Sequence, residues 1–323
     1  MDTSKQTSLA IFMFILVLLG NSVVFAIVPA LSVAELAPVR AQYAQALGFT
    51  PTEQILDPYQ ILLCYSAIAT LCMLPWAIRQ GRAGLATTRW KHYSLRALLE
   101  YGAYTMTLIA LTYVGPNSTF TLPMHTALNF ITPLLATVAT IVILKEKSSP
   151  HTWAALALGF IGVLVITRPG MIPANPGVLY VLGAALGFSC CGVVIKLLCS
   201  TESPKKIAFY LLLMTTVLAI PLGVRHWQQP TAEAWFWLIL IGVISWAVQI
   251  LVGKAISKVP YMVIIPLNFV QLVFSTMLSY FVYDRPAGVF TYLGAAIIVA
   301  GTIYNAYRNR VHAEREAAIA SAV

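Results

Sequence analysis

Two asparagines stand where asparagine is costly. Asn129 lies in "TALNFITPLLATV" and Asn268 in "IPLNFVQLVFSTM", each within the letters Leu-Asn-Phe inside a long apolar run. On the first stretch His125, Asn129, Thr132 and Ala136 follow i, i+4, i+7, i+11. On the second, Asn268, Gln271, Ser275 and Ser279 follow i, i+3, i+7, i+11. Either spacing gathers its residues on one helical face. Such a face offers hydrogen bonds, to a polar guest or to a neighbouring helix, in a medium that supplies no water. Pro133 and Pro266 add local breaks that could turn freed carbonyl groups into a cavity. Tyr104 and Thr107, Trp246 and Gln249 are candidate wall residues, and Asn21, Ser22 and Ser189 could complete the set.

Glu100 is the acidic residue that falls plainly within an apolar run. A carboxylate there could load and release a proton, coupling movement of a solute to a proton gradient. It also stands four residues after Arg96, the spacing of a helical ion pair. His125 could titrate near neutral pH or serve as a hydrogen-bonding wall. Catalysis would need paired carboxylates, a metal-binding cluster or an activated nucleophile, and the runs contain none. No glycine-rich loop ending in Lys-Ser/Thr is present either. The chain therefore reads as neither an enzyme nor an ATP-driven pump, with no cofactor or metal.

The elements that must position these residues follow from composition. The chain of 323 residues is 59% hydrophobic and 10% charged, with a mean hydropathy of +0.81. Soluble domains carry about 25% charged residues. Leu9–Ala30 runs 22 residues without a charge, and a bilayer core needs about 20. That run is too long for a signal peptide and reads as a first transmembrane helix. The fold expected is an all-α polytopic membrane protein with ten spans, near 9–30, 59–78, 96–114, 118–144, 151–168, 177–199, 206–224, 234–256, 260–283 and 287–307. Breaks such as "TYVGPNS", "TRPGMIPANPG" and "VYDRPAG" separate them.

With both termini cytoplasmic, one side of this arrangement collects 16 of the 20 Lys and Arg. The other side keeps Arg40, Arg168, Arg225 and Arg285. The positive-inside rule selects that orientation. The net charge of +9 then reports topology and contact with anionic lipid headgroups rather than a nucleic-acid partner. The link 31–58 is too polar to span. Val33–Leu47 within it could form a short amphipathic helix, as a cap over a solute path or as a plain connector. Cys64, Cys72, Cys190, Cys191 and Cys199 have neither Cys-x-x-Cys nor zinc spacing. They read as small packing residues, with the vicinal pair 190–191 a possible redox site. Gly183-x-x-x-Gly187 and Ala155-x-x-x-Gly159 suit close helix approach within a monomer.

The two halves repeat. Asn268 follows Asn129 by 139 positions (268 − 129), and Gly294 and Gly301 follow Ala155 and Gly162 by the same offset. Each glycine-spaced run comes after a charged, proline-containing break, "LKEKSSP" or "VYDRP", and "IALTYVGP" ends like "GKAISKVP". In the first and sixth spans "GNSVVFAIVPAL" aligns with "GFSCCGVVIKLL", Gly20 on Gly187 and Ser22 on Ser189, at an offset of 167 that absorbs the long link. Five spans per half is odd, so the second half must enter the membrane from the opposite side. That gives two inverted five-helix repeats around a midplane site. The expected division is 1–168, a connector 169–176, 177–307, and a cytoplasmic tail 308–323.

With these motifs the chain resembles the drug/metabolite transporter superfamily, in its EamA-type ten-helix branch, over about residues 8–307. The likeness rests on "ILKEKSSPHTWAALALGFIGVLVITRPG", its partner "VYDRPAGVFTYLGAAIIVAGTIYNA", and "IALTYVGPNSTFTLPMHTALNFITPLL". It implies transport of a small solute across a bacterial-type inner membrane, with a cavity between the halves. The chain departs from the family pattern in its longer link. It also carries Pro29 where many relatives carry a lysine, while Lys196 holds the paired position. The expected function is secondary transport of a small polar organic solute, an amino acid or related metabolite, driven by a proton or an exchange substrate. A flippase for a lipid-linked headgroup is the alternative, and a membrane-embedded enzyme or a channel fits less well.

Overall fold

A computed structural model of the chain describes residues 3–50, 52, 54–115, 118–144, 150–168, 174–199, 201–256, 268–284, 288–301, 303–304 and 307. Its elements are α1 (Thr3–Ser32), a short 3-10 turn at Ala34–Leu36, α2 (Ala37–Ala46), α3 (Pro58–Leu85), α4 (Trp90–Thr112), α5 (Leu122–Asn129) and α6 (Thr132–Leu144). They continue as α7 (Pro150–Thr167), α8 (Pro176–Cys199), α9 (Pro204–Arg225), α10 (Ala232–Ile256), α11 (Asn268–Tyr283) and α12 (Val289–Gly301). Over its described residues each expected span overlaps one or two of these helices.

Among the described residues six helical stretches are long and apolar enough to cross a membrane. They cover Ile11–Ser32, Pro58–Arg82, Leu122–Ile143, Pro176–Ile195, Pro204–Arg225 and Ala232–Val252, and shorter apolar helices cover Ala157–Thr167, Val270–Tyr283 and Val289–Gly301. In lipid a helix is one of the few ways to pair every backbone amide internally. Leu71, Ile78, Leu179 and Phe281 are each more than 60% exposed on the outer faces, an arrangement suited to hydrocarbon and not to water. The protein is an all-helical, multi-pass membrane protein.

Local chemistry fixes the helix ends. The Asp57 carboxylate accepts from the Tyr59 amide at 2.8 Å, and Pro58 opens α3 where no amide partner is needed. Thr121 caps α5 in the same way, through the Met124 amide. The span expected as 118–144 is broken at Phe130–Ile131 into α5 and α6. Pro133 has no N–H to give the Asn129 carbonyl, so the ladder tightens to i−3 bonds at Phe130 and Ile131 before α6 resumes. Helix α4 begins at Trp90, six residues before its expected span, because the helical backbone continues past the apolar part into "WKHYSL".

The packing repeats as the sequence does. The helices α1, α3, α4, α5–α6 and α7 correspond in order to α8, α9, α10, α11 and α12. Helix α4 packs along α8, and α10 along α1; α6 meets α8, and α11 meets α1; α3 meets α10, and α9 meets α4. Exchanging the halves carries each pair into another pair that is present. Gly20 and Gly187 hold equivalent crossings: a Cβ on Gly20 would lie 2.8 Å from Val248 of α10, and one on Gly187 3.0 Å from Ala103 of α4.

Helices α3 and α9 pair with each other and run antiparallel, with Gly223 on Leu63, Thr216 on Thr70 and Phe209 on Trp76. In α7 and α12, Ile166 meets Gly294 and Gly162 meets Ile298, again antiparallel. Corresponding helices thus point in opposite directions, as an inverted repeat requires.

Candidate functional site

Where the halves meet, two of the serines expected in the apolar runs make matching contacts. Ser22 is fully buried on α1 and shares its hydroxyl proton between the Leu18 carbonyl of its own helix (2.8 Å) and the Gln271 carbonyl of α11 (3.5 Å). Ser189 on α8 does the same with the Ala185 carbonyl (2.6 Å) and the Thr132 carbonyl of α6 (2.9 Å). Ser22 and Leu18 map onto Ser189 and Ala185 at the offset of 167, and Thr132 maps onto Gln271 at 139. One hydrogen-bonded crossing is built twice.

Helices α4, α8, α9 and α10 hold a buried polar network. The Arg96 guanidinium pairs with Glu100 at 3.1 Å and donates to the Ile207 carbonyl of α9 at 3.1 Å. Both side chains are less than a tenth exposed. The other partners of Glu100 come from other helices or a turn away. The Cys191 thiol of α8 approaches it at 3.1 Å, and the Tyr104 hydroxyl donates to it at 3.4 Å. Gln249 of α10 donates to the Tyr104 oxygen at 3.0 Å. Tyr65 and Phe188 stand edge-on to the Tyr104 ring, with centroids 6.5 and 5.3 Å away. Trp246, a turn before Ile250 on α10, packs instead against a separate cluster with Trp76 and Phe209, and its indole nitrogen is enclosed without a hydrogen-bond partner among the described residues.

The polar face of α5 is more enclosed than its composition suggests. His125 is fully buried, with Phe25 edge-on at 5.0 Å and Phe120 at 6.3 Å. The Asn129 amide donates back to the His125 carbonyl at 3.1 Å and lies 3.4 Å from its ring nitrogen Nε2. Thr107 and Ser275 are buried and return their hydroxyls to carbonyls of their own helices. Asn21 is half-buried on α1. Asn268 opens α11, but its side chain lies outside the described residues, as do the Lys196 side chain and residues 257–267 with Pro266.

The two ends of the bundle differ. At one end the 31–58 link is stitched to the segment between α9 and α10. Arg40 and Glu233 form an ion pair at 2.9 Å with side chains 2% and 1% exposed. The same carboxylate accepts from the Thr52 amide (3.0 Å) and hydroxyl (2.8 Å), while Arg40 also donates to the Thr52, Gln54 and Ala30 carbonyls. Gln54 and Gln60 bridge to Gln229, Thr231 and Gln228, and His226 lies 3.3 Å from Asp57. The expected link helix is present as the 3-10 turn and α2, and its Arg40 faces inward.

At the other end the 86–89 and 201–206 segments meet, through Thr87 and Glu202 (2.6 Å) and Lys206 and Glu202 (2.8 Å). Burial works to raise the Glu202 carboxyl. Hydrogen bonds from Lys206 and Thr87, with the charges of Lys206 and Arg89, outweigh it and hold the group below the ordinary carboxylate value. Beside this seam a cleft of about 390 Å³ opens between α3, α9 and α10. Its lining includes Trp76, Gln80, Lys205, Gln249, Ile250 and Lys254. Gln249 joins the cleft to the Tyr104–Glu100 network. Sequence spacing signals neither the cleft nor the Arg40–Glu233 pair, because their residues come from helices and loops far apart in the chain.

A doubled, oppositely directed bundle matches known proteins at both the sequence and the fold level. The model of the EamA-like transporter family matches residues 46–168 and again residues 175–307. The chain belongs to the EamA-like transporter family. It is 26% identical over 255 residues to an S-adenosylmethionine uptake transporter of Rickettsia prowazekii, covering 79% of this chain and 85% of that one. It is 30% identical over 268 residues to a riboflavin transporter of Vibrio cholerae, covering 82% and 86%. A solved crystal structure overlays 96% of this chain at a TM-score of 0.59 and 15% identity, a likeness of fold alone. This EamA-family chain is a transporter of small metabolites and not an enzyme.

Proposed function

We propose that this chain is a secondary transporter that moves a small polar organic metabolite across a bacterial inner membrane by alternating access. The observation that carries the reading is the serine-to-carbonyl crossing built twice, in oppositely directed halves that both contribute to one buried polar network. Two halves with equivalent contacts can trade conformations at little net cost, so the bundle has two states of similar free energy. In the state described, the link end is sealed by Arg40 and Glu233, and the lysine end carries an open cleft. By the positive-inside rule the lysine end and both termini are cytoplasmic and the link end faces outward. The chain works as a monomer, since Gly183 and Gly187 spend their close approach on Met106 and Ala103 of the same chain.

The metabolites named for the relatives, S-adenosylmethionine and riboflavin, each join a fused heteroaromatic ring to a polar chain. The aromatic setting of Tyr104, Tyr65 and Phe188 supports a substrate of that kind for this chain. The paired polar faces, including Asn129 with Asn268 and Thr132 with Gln271, line its path. Glu100 couples its passage to a proton, which requires the pair with Arg96 to open during the cycle. Uptake of labelled solutes into proteoliposomes tests the reading. Glu100→Gln is expected to abolish pH-driven uptake while retaining counterflow. Unchanged pH-driven uptake would assign Glu100 to the ion pair alone. Normal transport by folded Asn129→Ala and Asn268→Ala proteins would remove the polar faces from the path. Movement of a lipid-linked headgroup, with no soluble solute taken up, would favour a flippase.

A further inference from the structure

The seams at the two ends of the bundle are one contact made twice. Helices α3 and α9 align at an offset of 146 (204 − 58), Pro58 on Pro204, Pro75 on Pro221 and Arg79 on Arg225. Thr70 and Thr216 correspond at the same offset, and their hydroxyls meet each other at 3.1 Å. They mark where the axis relating the halves crosses the α3–α9 pair. The starts of α4 and α10 align at 144 (260 − 116), the offset of Pro116 and Pro260. That places Thr87 on Thr231 and Arg89 on Glu233.

Both seams obey these offsets. At the link end Gln60 of α3 donates to the Gln228 carbonyl, in the segment before α10. At the lysine end its counterpart, Lys206 of α9, donates to the Ala86 carbonyl, in the segment before α4. Thr231 meets Thr52, of the segment entering α3, at 3.3 Å, and Thr87 meets Glu202, of the segment entering α9, at 2.6 Å. Each threonine also accepts from a backbone amide at its helix start, Thr231 from Ala234 and Thr87 from Arg89. The charges reverse between the ends. Glu233 is held by Arg40 of the long link, whereas Arg89 acts with its positive charge on Glu202.

We infer that the seam of the 86–89 and 201–206 segments is the inner gate of the chain, the counterpart of the Arg40–Glu233 seal, and that the contacts of Thr87 with Glu202 and of Lys206 with Ala86 must part for the lysine end to open fully. This rests on the reading of the chain as an alternating-access transporter and assigns its second gate. The cleft flanks the seam through Ser203, Pro204 and Lys205, so parting the seam widens the cleft into a passage. The Arg40 and Glu233 side chains are 2% and 1% exposed, those of Lys206 and Glu202 10% and 11%. The inner seam is the more solvated of the two and parts the more readily. Sequence conceals the equivalence, because an acid in one half stands where the other has a base.

Spin labels in a cysteine-free background test this without a substrate, one pair across the link end (Leu47→Cys with Trp227→Cys) and one across the inner seam (Thr88→Cys with Thr201→Cys, both exposed). Thr87→Val with Glu202→Gln is expected to lengthen the inner distance and to leave the link-end distance as in the parent. Arg40→Gln with Glu233→Gln is expected to lengthen the link-end distance alone. An inner distance that ignores the first pair of changes, or a link-end distance that lengthens with it, overturns the inference. Bridging Thr87→Cys to Glu202→Cys with a short bifunctional methanethiosulfonate locks the seam in the folded protein. The lock is expected to stop uptake of labelled riboflavin or S-adenosylmethionine into proteoliposomes, and reduction of the bridge to restore it. Uptake that continues across the locked seam would overturn the gate and leave the transport reading standing. In a parent that takes up neither probe, the two distances decide the gate by themselves, and the transport reading for those solutes falls alone.

Discussion

Ser22 and Ser189 carry the repeat at single-residue resolution. Each hydroxyl binds a carbonyl on its own helix and one on a partner helix, and all four carbonyls correspond under the sequence offsets. Ser22→Ala and Ser189→Ala should therefore cost similar and small amounts, about 0.6 kcal/mol each, measured as loss of thermal stability in detergent. Arg40 and Glu233 are a different case. Removing one partner of a buried ion pair strands the other charge, at a cost of about 3–5 kcal/mol. Arg40→Ala should lower the unfolding temperature far more than either serine change, and the exchange Arg40→Glu with Glu233→Arg should recover part of it. The i, i+4 pair of Arg96 and Glu100 is legible from spacing alone, and so is the serine alignment. Cys191 and Gln249 complete the Glu100 network from α8 and α10. Gln249 is expected as a wall residue and Cys191 as half of a vicinal pair, but their place in this network has no sequence signal, because a tertiary hydrogen bond leaves no periodic trace.

At the scale of helices, close approach decides the geometry. A Cβ on Gly162 would sit 2.7 Å from the Gly294 carbonyl oxygen, and one on Gly294 2.6 Å from that of Gly162. Gly162→Ala should force α7 and α12 apart and cost about 1–3 kcal/mol. Thermal stability of the variant checks this, and an unchanged value would mean the two helices are free to slide. The glycines were legible through their shared spacing, although which glycine meets which was not. The break between α5 and α6 follows from Pro133, whereas the burial of Glu100 does not follow from its place in the middle of α4. The seam at Glu202 also belongs here. Its carboxyl is held below the unfolded value, so the stabilisation is present above the ordinary carboxylate range and is lost as pH falls through the lowered value. Acidification should loosen the 86–89 and 201–206 segments, seen as faster amide exchange. Thr87→Val should shift the onset of that loosening to higher pH.

For the whole molecule, composition and the doubled motifs are enough to read a helical membrane transporter with inverted halves. The seal at the link end is invisible in sequence, since Arg40 and Glu233 are 193 positions apart (233 − 40) in polar segments. In the proposed transport cycle the two ends open in alternation. Spin-label pairs in a cysteine-free background measure this directly, one across the link end (Leu47→Cys with Trp227→Cys) and one across the lysine-end cleft (Ile78→Cys with Leu251→Cys). Distance distributions with and without a transported solute should move in opposite senses, the link-end distance lengthening as the cleft distance shortens. Two distances that lengthen together, or a link end that never opens while the protein transports, would contradict it.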